Sequence, residues 1–254
     1  MKPFELDGKV SVVTGSSRGI GRSIAEHLAA AGAKVVISSR KADACEQVAQ
    51  AIRAAGGQAA AIPANIGEKG QLDNLVSETR RLWGHIDILV CNAASNPYYG
   101  PMAGLPDEAF NKILQNNVIA NHWLCNLVLP EMAQRKDGVI IIVSSIGGLK
   151  GSAALGAYAI SKAADMQLAR NLAVEWGKHN IRANCIAPGL IKTDFARALW
   201  ENPKLLAHYE TTTPLGRIGD PDDIGGIAVF LASRAGAFVT GQTIVADGGI
   251  TIAG

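Results

Sequence analysis

Tyr158 and Lys162 stand four residues apart in the stretch AYAISKAA, residues 157–164, among mostly small side chains. Residues at i and i+4 lie on one face of a helix, so these two side chains meet if the stretch is helical. A neighbouring ammonium stabilises a phenolate and makes a phenol a better proton exchanger near neutral pH. The pair therefore has the chemistry of an acid and its tuning cation. A tyrosine packed beside a solvated lysine has the same spacing, so the surrounding elements must decide between the two interpretations.

A glycine-rich segment, TGSSRGIG at residues 14–21, lies between the first Val-rich run and the stretch RSIAEHLAAAG, whose apolar residues recur at helical spacing. Gly15, Gly19 and Gly21 permit a tight turn and a close approach of the backbone to a ligand. The N-terminus of the following helix would present free N–H groups and its dipole to a pyrophosphate. This arrangement predicts a dinucleotide-binding loop.

The end of the second predicted strand indicates which dinucleotide binds. Folds that prefer NAD usually place an acidic residue there, where it binds the ribose 2′-hydroxyl. In KVVISSRK, Ser39 takes that position, and Arg40 and Lys41 follow it. No carboxylate repels a 2′-phosphate here, and Arg18 in the glycine loop supplies a further guanidinium. The sequence therefore predicts NADP(H) as the cofactor, although ordinary exposed charges opening a helix would look the same.

Composition excludes several other classes of protein. Hydrophobic residues make up 48% of the 254, charged residues 18%, and the formal net charge is +2, which predicts a globular chain with a sizeable core. No basic block suits nucleic acid, and no apolar run is long enough to span a membrane. We expect one domain, residues 1–254, without a leader segment, in the cytoplasm, with no nucleic-acid or membrane partner. The scattered Cys and His residues predict reduced core thiols and no metal site.

Short Val- and Ile-rich runs alternate with stretches of helical length and period. These runs occupy residues 9–14, 34–38, 58–62, 86–91, 138–144, 181–187 and 242–246. Apolar strands with little alternation suit a parallel sheet that helices cover on both faces. The expected fold is α/β: a single-domain, Rossmann-like, doubly wound parallel sheet of about seven strands in a three-layer sandwich. Residues 190–213 break the rhythm, and their aromatic side chains suggest a substrate loop inserted after a strand.

Six motifs occur along the chain in a familiar order. They are TGSSRGIG (14–21), CNAA (91–94), NNV (116–118), VSS (143–145), YAISK (158–162) and APGLIKT (187–193). In these motifs, over nearly its whole length, the chain resembles the short-chain dehydrogenase/reductase family. The stretches NAASNPYYG, APGLIKTDFARALW and VVISSRK look particularly like the family's NADPH-dependent carbonyl and retinal reductases. The resemblance implies an enzyme that interconverts a carbonyl compound and an alcohol.

The family's catalytic residues map onto Asn117, Ser145, Tyr158 and Lys162. By this resemblance, the nicotinamide delivers hydride to the carbonyl carbon, Tyr158 protonates the oxygen and the Ser145 hydroxyl holds that oxygen in place. Lys162 would stabilise the phenolate, and Asn117 would position a water that reconnects Lys162 to solvent. Tyr158 and Lys162 are thereby interpreted as the acid and its tuning cation.

The resemblance also implies a set of cofactor contacts. Asn65 would accept a hydrogen bond from the adenine amino group, and Asn92 would hold the sheet beneath the cofactor. Thr193 and the Ile191 backbone would meet the nicotinamide carboxamide. The expected set is Gly15, Ser17, Arg18, Gly19, Ile20, Gly21, Ser39, Arg40, Asn65, Ile66, Asn92, Ala93, Ala94, Tyr158, Lys162, Pro188, Gly189, Ile191 and Thr193. The chain departs from the family at two places, with Ala94 for a glycine and Asn65-Ile66 for Asp-Val.

Aromatic residues in the predicted loops are candidates for the substrate site. Together with Ser145 and Tyr158, they would form an apolar pocket, although each could equally pack its own loop or an oligomer contact. These aromatic candidates are Tyr98, Tyr99, Phe195 and Trp200. The loops carry no basic cluster for a strongly anionic substrate, and Lys192 is the exception.

The sequence leaves three functions open. The first is an NADP(H)-dependent reductase of ketones or aldehydes with apolar flanks. The second is a 3-oxoacyl-thioester (acyl-carrier) reductase, in which Lys192 would serve the carrier. The third is a non-catalytic NADP(H)-binding regulator, which has no need of intact Ser145, Tyr158 and Lys162. By resemblance to the family we also expect a homotetramer.

Overall fold

The sheet at the centre of the fold is parallel throughout. A computed structural model describes residues 2–253. Its strands are β1 (Val10–Thr14), β2 (Lys34–Ser38), β3 (Gln58–Ala61), β4 (Ile88–Cys91), β5 (Gly138–Val143), β6 (Ile181–Pro188) and β7 (Thr243–Ala246). Their order is β3-β2-β1-β4-β5-β6-β7, and every neighbouring pair is parallel. The α/β prediction is confirmed, because all seven predicted strands are present, with bounds shifted by two residues at most.

Helices cover both faces of this sheet. They are α1 (Gly19–Ala30), α2 (Ala42–Ala54), α3 (Lys69–Trp83), α4 (Asp107–Leu114), α5 (Ala120–Arg135), α6 (Gly156–Trp176), α7 (Arg197–Trp200), α8 (Pro203–Thr212) and α9 (Asp222–Ala232). One buried layer unites α1, α2 and α9 with alternate strand positions such as Val13 and Ile37. The other unites α3, α5 and α6 with the intervening positions, such as Val12 and Leu89. Burial on both faces explains why the strands are apolar along their whole length.

Two further features of the described residues bear on the predictions. Within residues 2–253, no helix combines the length and the hydrophobicity needed to cross a bilayer. The cysteines Cys45, Cys91, Cys125 and Cys185 are buried and free, as predicted for core thiols.

A π-helical segment, Gln115–Ile119, joins α4 to α5 without a break in the helix. A π-bulge inserts an extra residue into the helical turn, and such bulges are frequent at functional sites. This one carries two consecutive buried asparagines, Asn116 and Asn117. Both amides are thereby held inside the fold, close to the strands whose ends carry the predicted motifs.

The packing of α5 on the sheet predicts the effect of one truncation. Leu124 is fully buried in the layer between α5 and the sheet. We expect Leu124→Ala to lower the free energy of unfolding by about 2–5 kcal/mol, because it leaves a cavity. Urea denaturation measures the change, with Leu82→Ala as the control. Leu82 in α3 is 43% exposed, so its truncation should cost less than half as much. Equal losses would contradict this packing.

Candidate active site

The loop after β1 has no room for side chains at two of its glycines. Gly15 adopts a φ of 66° and Gly19 a φ of 57°, a region that favours glycine. A Cβ at Gly21 would lie 2.4 Å from the Asn92 Nδ2 and 2.5 Å from the carbonyl oxygen of Gly15. A Cβ at Gly15 would lie 2.9 Å from the Cα of Ala93. The backbone of this loop therefore packs directly on the turn after β4 and leads into the N-terminus of α1.

Asn92 ties that loop to the end of β4. Its Nδ2 donates to the carbonyl oxygens of Thr14 (2.9 Å) and Gly15 (3.2 Å). In return, the Thr14 hydroxyl accepts from the backbone N–H groups of Asn92 and Ala93, both at 3.1 Å. The two turns are held together by side chain and backbone alike, which is the structural part of the role predicted for Asn92.

A cavity of about 390 Å³ opens at the carboxyl ends of these strands. The predicted residues that line it are Gly15, Arg18, Gly19, Ile20, Gly21, Ser39, Arg40, Asn65, Ile66, Asn92, Ala93, Ala94, Tyr158, Lys162, Thr193 and Phe195. It is also lined by Ala64, Ser95, Pro97, Lys112, Asn116, Val143, Ser144 and Asp194, which the sequence did not single out. The glycine loop and the tyrosine–lysine pair, far apart in sequence, thus share one cavity.

Tyr158 and Lys162 lie on successive turns of α6, as their spacing predicts. The Lys162 Nζ is 5.7 Å from the centre of the Tyr158 ring. Tyr158 is half-buried, whereas Lys162 is only 2% exposed. The ring of Phe195 stands 6.1 Å from the Tyr158 ring, centre to centre, and is tilted by 41°. The phenol therefore faces the cavity, with a buried ammonium on one side and an aromatic ring on another.

Ser145 and Tyr158 both lie close to Gly147. A Cβ at Gly147 would be 3.4 Å from the Ser145 Oγ and 3.9 Å from the Tyr158 Cε1. The Ser145 Oγ accepts a hydrogen bond from the Gly147 N–H at 3.0 Å, which fixes the hydroxyl at the start of a short 3₁₀ turn. Its neighbour Ser144 lines the cavity and donates to the carbonyl oxygen of Lys162 at 2.7 Å. The end of β5 thus anchors the first turns of α6.

Asn117 is buried behind the cavity with all its amide atoms engaged. Its Oδ1 accepts from the Ser95 N–H at 2.8 Å, and its Nδ2 donates to the Ser95 carbonyl (3.1 Å) and the Ser161 hydroxyl (3.0 Å). Its backbone carbonyl accepts from the Nδ2 of Asn121 at 2.7 Å. The side chain joins the turn after β4 to α6. The role expected for Asn117 in positioning a water stays a prediction.

Asn116, next to it in the π-bulge, is a residue that the sequence prediction missed, although it stands in the quoted NNV motif. Its Nδ2 donates to the Ser95 hydroxyl at 3.0 Å. Its Oδ1 is buried and finds no partner among the described residues, while the residue itself lines the cavity. An unpaired buried acceptor at this place fits a ligand that carries hydrogen-bond donors.

Two predicted cofactor residues already have protein partners. The Ser39 hydroxyl lies 3.1 Å from the Cys45 Sγ, just beyond the end of β2. The Asn65 Oδ1 accepts from the Gly67 N–H at 3.1 Å. A hydroxyl has one donor and two lone pairs, and an amide oxygen has two lone pairs, so both groups keep capacity for a further hydrogen bond.

Arg18 pairs across the cavity with an acidic residue. Its Nη1 lies 3.2 Å from the Asp194 Oδ2, and both side chains are largely exposed. Asp194 also contacts Arg197, and the hydrogen bond from Arg197 is the main cause that holds the pKa of Asp194 below its ordinary value. The pair bridges the glycine loop and the segment after β6.

Other predicted residues lie around the cavity rather than on its wall. Ile191 is buried and forms a β-bridge with Gly219, which fixes the turn after β6. The Trp200 Nε1 donates to the Thr193 carbonyl at 2.8 Å, and the Tyr98 hydroxyl donates to the Pro101 carbonyl at 2.9 Å. The predicted residues that do not line the cavity are Ser17, Tyr98, Tyr99, Asn117, Ser145, Pro188, Gly189, Ile191 and Trp200.

Comparison with known proteins gives consistent relatives. The family described as enoyl-(acyl carrier protein) reductase matches residues 15–251. The chain is 41% identical to dehydrogenase/reductase SDR family member 4 of Bos taurus, over 96% of this chain and 88% of that protein. It is 33% identical to a gluconate 5-dehydrogenase from Burkholderia cenocepacia solved with NADP and tartrate, with a TM-score of 0.95 over 99% and 98% of the two chains. It is 38% identical to a 7α-hydroxysteroid dehydrogenase solved with NADH and 7-oxo glycochenodeoxycholic acid, with a TM-score of 0.94 over 97% and 96%.

The chain belongs to the short-chain dehydrogenase/reductase family, and it is an oxidoreductase that interconverts carbonyl and alcohol groups. The resemblance seen in the sequence motifs is thereby confirmed. The family match covers nearly the whole chain, because the matched residues run from the glycine loop to the segment after β7.

The close packing of the glycine loop predicts the effect of a single methyl group. Gly21→Ala would push a Cβ into the Gly15 carbonyl and the Asn92 amide, so we expect it to lower the free energy of unfolding by about 1–3 kcal/mol. Gly226→Ala is the matched control, since Gly226 also lies in a helix but a Cβ there meets nothing within 4 Å. That substitution should be neutral or stabilising. Urea denaturation of both variants tests the loop, and equal effects would contradict the packing.

Proposed function

We propose that this protein is an NADP(H)-dependent carbonyl reductase in which Tyr158 is the acid/base, Lys162 its tuning cation and Ser145 the donor that holds the substrate oxygen. One observation carries the proposal: the phenol of Tyr158, with the buried Lys162 ammonium 5.7 Å from its ring centre, faces the cavity that begins at the glycine loop. The cofactor fits the residues present, because the glycines leave a cradle that a Cβ would fill and Asn116 offers an unpaired acceptor.

The proposed chemistry divides among these side chains. When bound, the nicotinamide cofactor supplies the hydride to the carbonyl carbon or accepts it from the alcohol. Tyr158 gives its phenolic proton to the substrate oxygen during reduction and removes that proton during oxidation. The positive charge of the buried Lys162 stabilises the phenolate that results. The Ser145 hydroxyl donates a hydrogen bond to the oxygen on which negative charge develops.

Preference for NADP(H) over NAD(H) rests on the charges near the end of β2. Ser39 and Arg40 line the cavity, and the first position after the strand carries no carboxylate. Arg18 is held by an exposed ion pair, which is weak in solvent, so its guanidinium remains available to a phosphate dianion. Relatives solved with NADP and with NADH both exist, so this preference belongs to the proposal.

The proposed substrate is a ketone or aldehyde with apolar flanks. The cavity wall includes the apolar residues Ala94, Pro97 and Phe195, and the Phe195 ring lies next to that of Tyr158. Phe195 is 56% exposed, so its ring is accessible to a ligand. The proposed substrate loop, residues 190–213, contains a 3₁₀ turn, α7 and α8 instead of a sheet element. Of this segment, Thr193, Asp194 and Phe195 line the cavity, and α7 and α8 follow them in the chain.

Reduction of a 3-oxoacyl thioester is the second candidate. The family description that matches residues 15–251 supports only its acyl-carrier part, because an enoyl reductase reduces a carbon–carbon double bond and not a ketone. Lys192, the cation proposed to meet a carrier, lies over the ring of Trp200 at 5.7 Å and outside the cavity wall. Lys192 would therefore meet a carrier on the protein surface, outside the cavity. A non-catalytic NADP(H)-binding regulator is the third, and it would leave the buried position of Lys162 without a use.

We also propose that the protein is a cytoplasmic homotetramer. The free, buried cysteines suit a reducing compartment. β7 has a neighbour on one side only, and its Val245 is 41% exposed. Phe238 and Ile252 nearby in sequence are also exposed, so this edge suits burial against another copy. Light scattering coupled to size-exclusion chromatography should give a molar mass four times the chain mass of 26.5 kDa. The mass of a monomer would refute the assembly.

Removal of the phenolic hydroxyl tests the reaction. We expect Tyr158→Phe to lower kcat for ketone reduction at least about a hundredfold, since a positioned general acid supplies that much. NADPH oxidation at the reduced-nicotinamide absorbance band measures it, with aromatic ketones, α-dicarbonyls and a 3-oxoacyl thioester as substrates. The variant should keep its affinity for NADPH in calorimetry. Turnover of the thioester alone would select the second candidate, and binding without turnover of any carbonyl by the wild type would select the third.

A carboxylate at the end of β2 tests the cofactor preference. We expect Ser39→Asp to shift the ratio of NADPH to NADH affinities at least about tenfold toward NADH, because the acid repels a 2′-phosphate and accepts a bond from a 2′-hydroxyl. Gln47→Glu is the matched control: it adds the same charge on the exposed face of α2, away from the cavity. A shift of equal size in the control would show a general charge effect. Equal use of both cofactors by the wild type would refute the preference.

A further inference from the structure

Lys162 has a buried counter-ion on its own helix. The Nζ of Lys162 lies 2.9 Å from the Oδ2 of Asp165, and the two side chains are 3% and 0% exposed. The same Nζ donates to the Val143 carbonyl at 2.9 Å. An ammonium has three N–H groups, so two are used by these acceptors and one is left for the side of Tyr158 and the cavity.

Asp165 is itself held by a second buried side chain. The Asn121 Nδ2 donates to the Asp165 Oδ1 at 2.9 Å and to the Asn117 carbonyl at 2.7 Å. Each carboxylate oxygen therefore accepts one hydrogen bond: Oδ2 from Lys162 of α6, and Oδ1 from Asn121 of α5. A continuous path of protein atoms connects the Lys162 ammonium through Asp165 and Asn121 to the π-bulge.

The charge of Asp165 bears directly on Lys162. Burial is the largest single influence and works to lower the pKa of Lys162. The charge and hydrogen bond of Asp165, together with the interactions with Tyr158 and Cys185, more than offset it, so the pKa stands above its ordinary value. Burial raises the pKa of Asp165, while Lys162 and the Asn121 amide oppose that rise. A buried charge without its partner is strongly unfavourable, so each member of the pair keeps the other ionised.

Other titratable groups face the pair from the neighbouring elements. Cys91 in β4 and Cys125 in α5 interact with each other, and the hydrogen bond between them, together with burial, raises the pKa of Cys91 well above its ordinary value. Burial raises the pKa of Cys185 in β6, whose Sγ lies 3.4 Å from the Asp165 carbonyl. Cys91 and Cys185 therefore stay uncharged near neutral pH. Tyr158 and the more distant Arg170 complete the set.

We infer that Asp165 is a positioning residue for the reaction: its carboxylate holds the Lys162 ammonium between β5 and the Tyr158 ring and keeps it charged. This inference rests on the proposed function. The alternative use of an aspartate three residues after a lysine, an exposed i,i+3 pair on a helix surface, does not apply, because both side chains are buried. Removal of the carboxylate would leave a desolvated ammonium that loses its proton at a lower pH.

The protonation of Lys162 can be observed directly in the protein without nucleotide. In protein labelled with ¹³C-lysine, the Lys162 signal is assigned by its absence in Lys162→Arg. We expect Asp165→Asn to lower the pH at which Lys162 titrates by about one to three units, the range typical of losing an adjacent opposite charge. An unchanged titration would overturn the inference.

The pH dependence of kcat gives the second readout. For a positioning role, the alkaline limb of ketone reduction moves to lower pH in Asp165→Asn, because the charged lysine is lost as pH rises through its lowered pKa. Below that limb the activity returns toward the wild-type value. A purely structural role would lower kcat equally at every pH, and that result would overturn the inference. If Asp165→Asn does not fold, Asn121→Ala is the alternative variant. It keeps the Lys162–Asp165 ion pair but removes the amide that holds the Asp165 carboxylate, so it should shift the alkaline limb in the same direction by a smaller amount.

Asp87→Asn is the matched control. Asp87 is also a buried carboxylate, 3.3 Å from an Arg135 nitrogen, but it lies at the amino end of the sheet and outside the cavity. Its substitution should reduce stability without moving either titration. Tyr158→Phe, measured in parallel, separates the two proposals: full activity in that variant refutes the proposed function, whereas an unshifted Asp165→Asn in an enzyme that needs Tyr158 refutes the role of Asp165 alone.

Discussion

The direct contact between the turn after β1 and the turn after β4 is the constraint on which the rest of the cavity depends. These strands are neighbours in the sheet, and Thr14 and Asn92 bind their two turns to each other from both sides. The contact leaves no volume for side chains at Gly15 and Gly21. Backbone N–H groups and the start of α1 are therefore what the loop offers to a ligand, which suits a pyrophosphate.

A second set of contacts places the proton chemistry at the same edge. The Ser144 hydroxyl holds the Lys162 carbonyl, and the Lys162 ammonium holds the Val143 carbonyl, so α6 is joined to the end of β5 in both directions. Tyr158 and Ser145 are both placed close to Gly147. Because parallel strands end at one edge, the anchor of α6 and the glycine loop belong to one cavity.

The sequence predicts the fold well because its strands are buried on both faces, and the resulting apolar runs are read easily between glycine-rich turns. The glycine loop, Tyr158 and Lys162 follow from motif and spacing. Residues 190–213 are harder: their short helices have no long apolar period, so only the break in rhythm marks them. The partners of Arg18 and Asn65 could not be predicted either, since they depend on where separate loops meet in space.

Asp165 shows a different limit of sequence reasoning. A lysine and an aspartate at i and i+3 look like a solvated helix pair, and only the packing of α6 against β6 and α5 reveals that this face is inside. The cavity consequently has two electrostatic environments. Arg18, in the glycine loop, and Arg40, after β2, are exposed to solvent and screened by salt. The Lys162–Asp165 pair is buried and is screened much less. Phosphate recognition and proton transfer are therefore separable in this fold. Binding of a phosphate by the exposed arginines depends on ionic strength, whereas proton transfer at Tyr158 depends on the protonation of the buried Lys162–Asp165 pair.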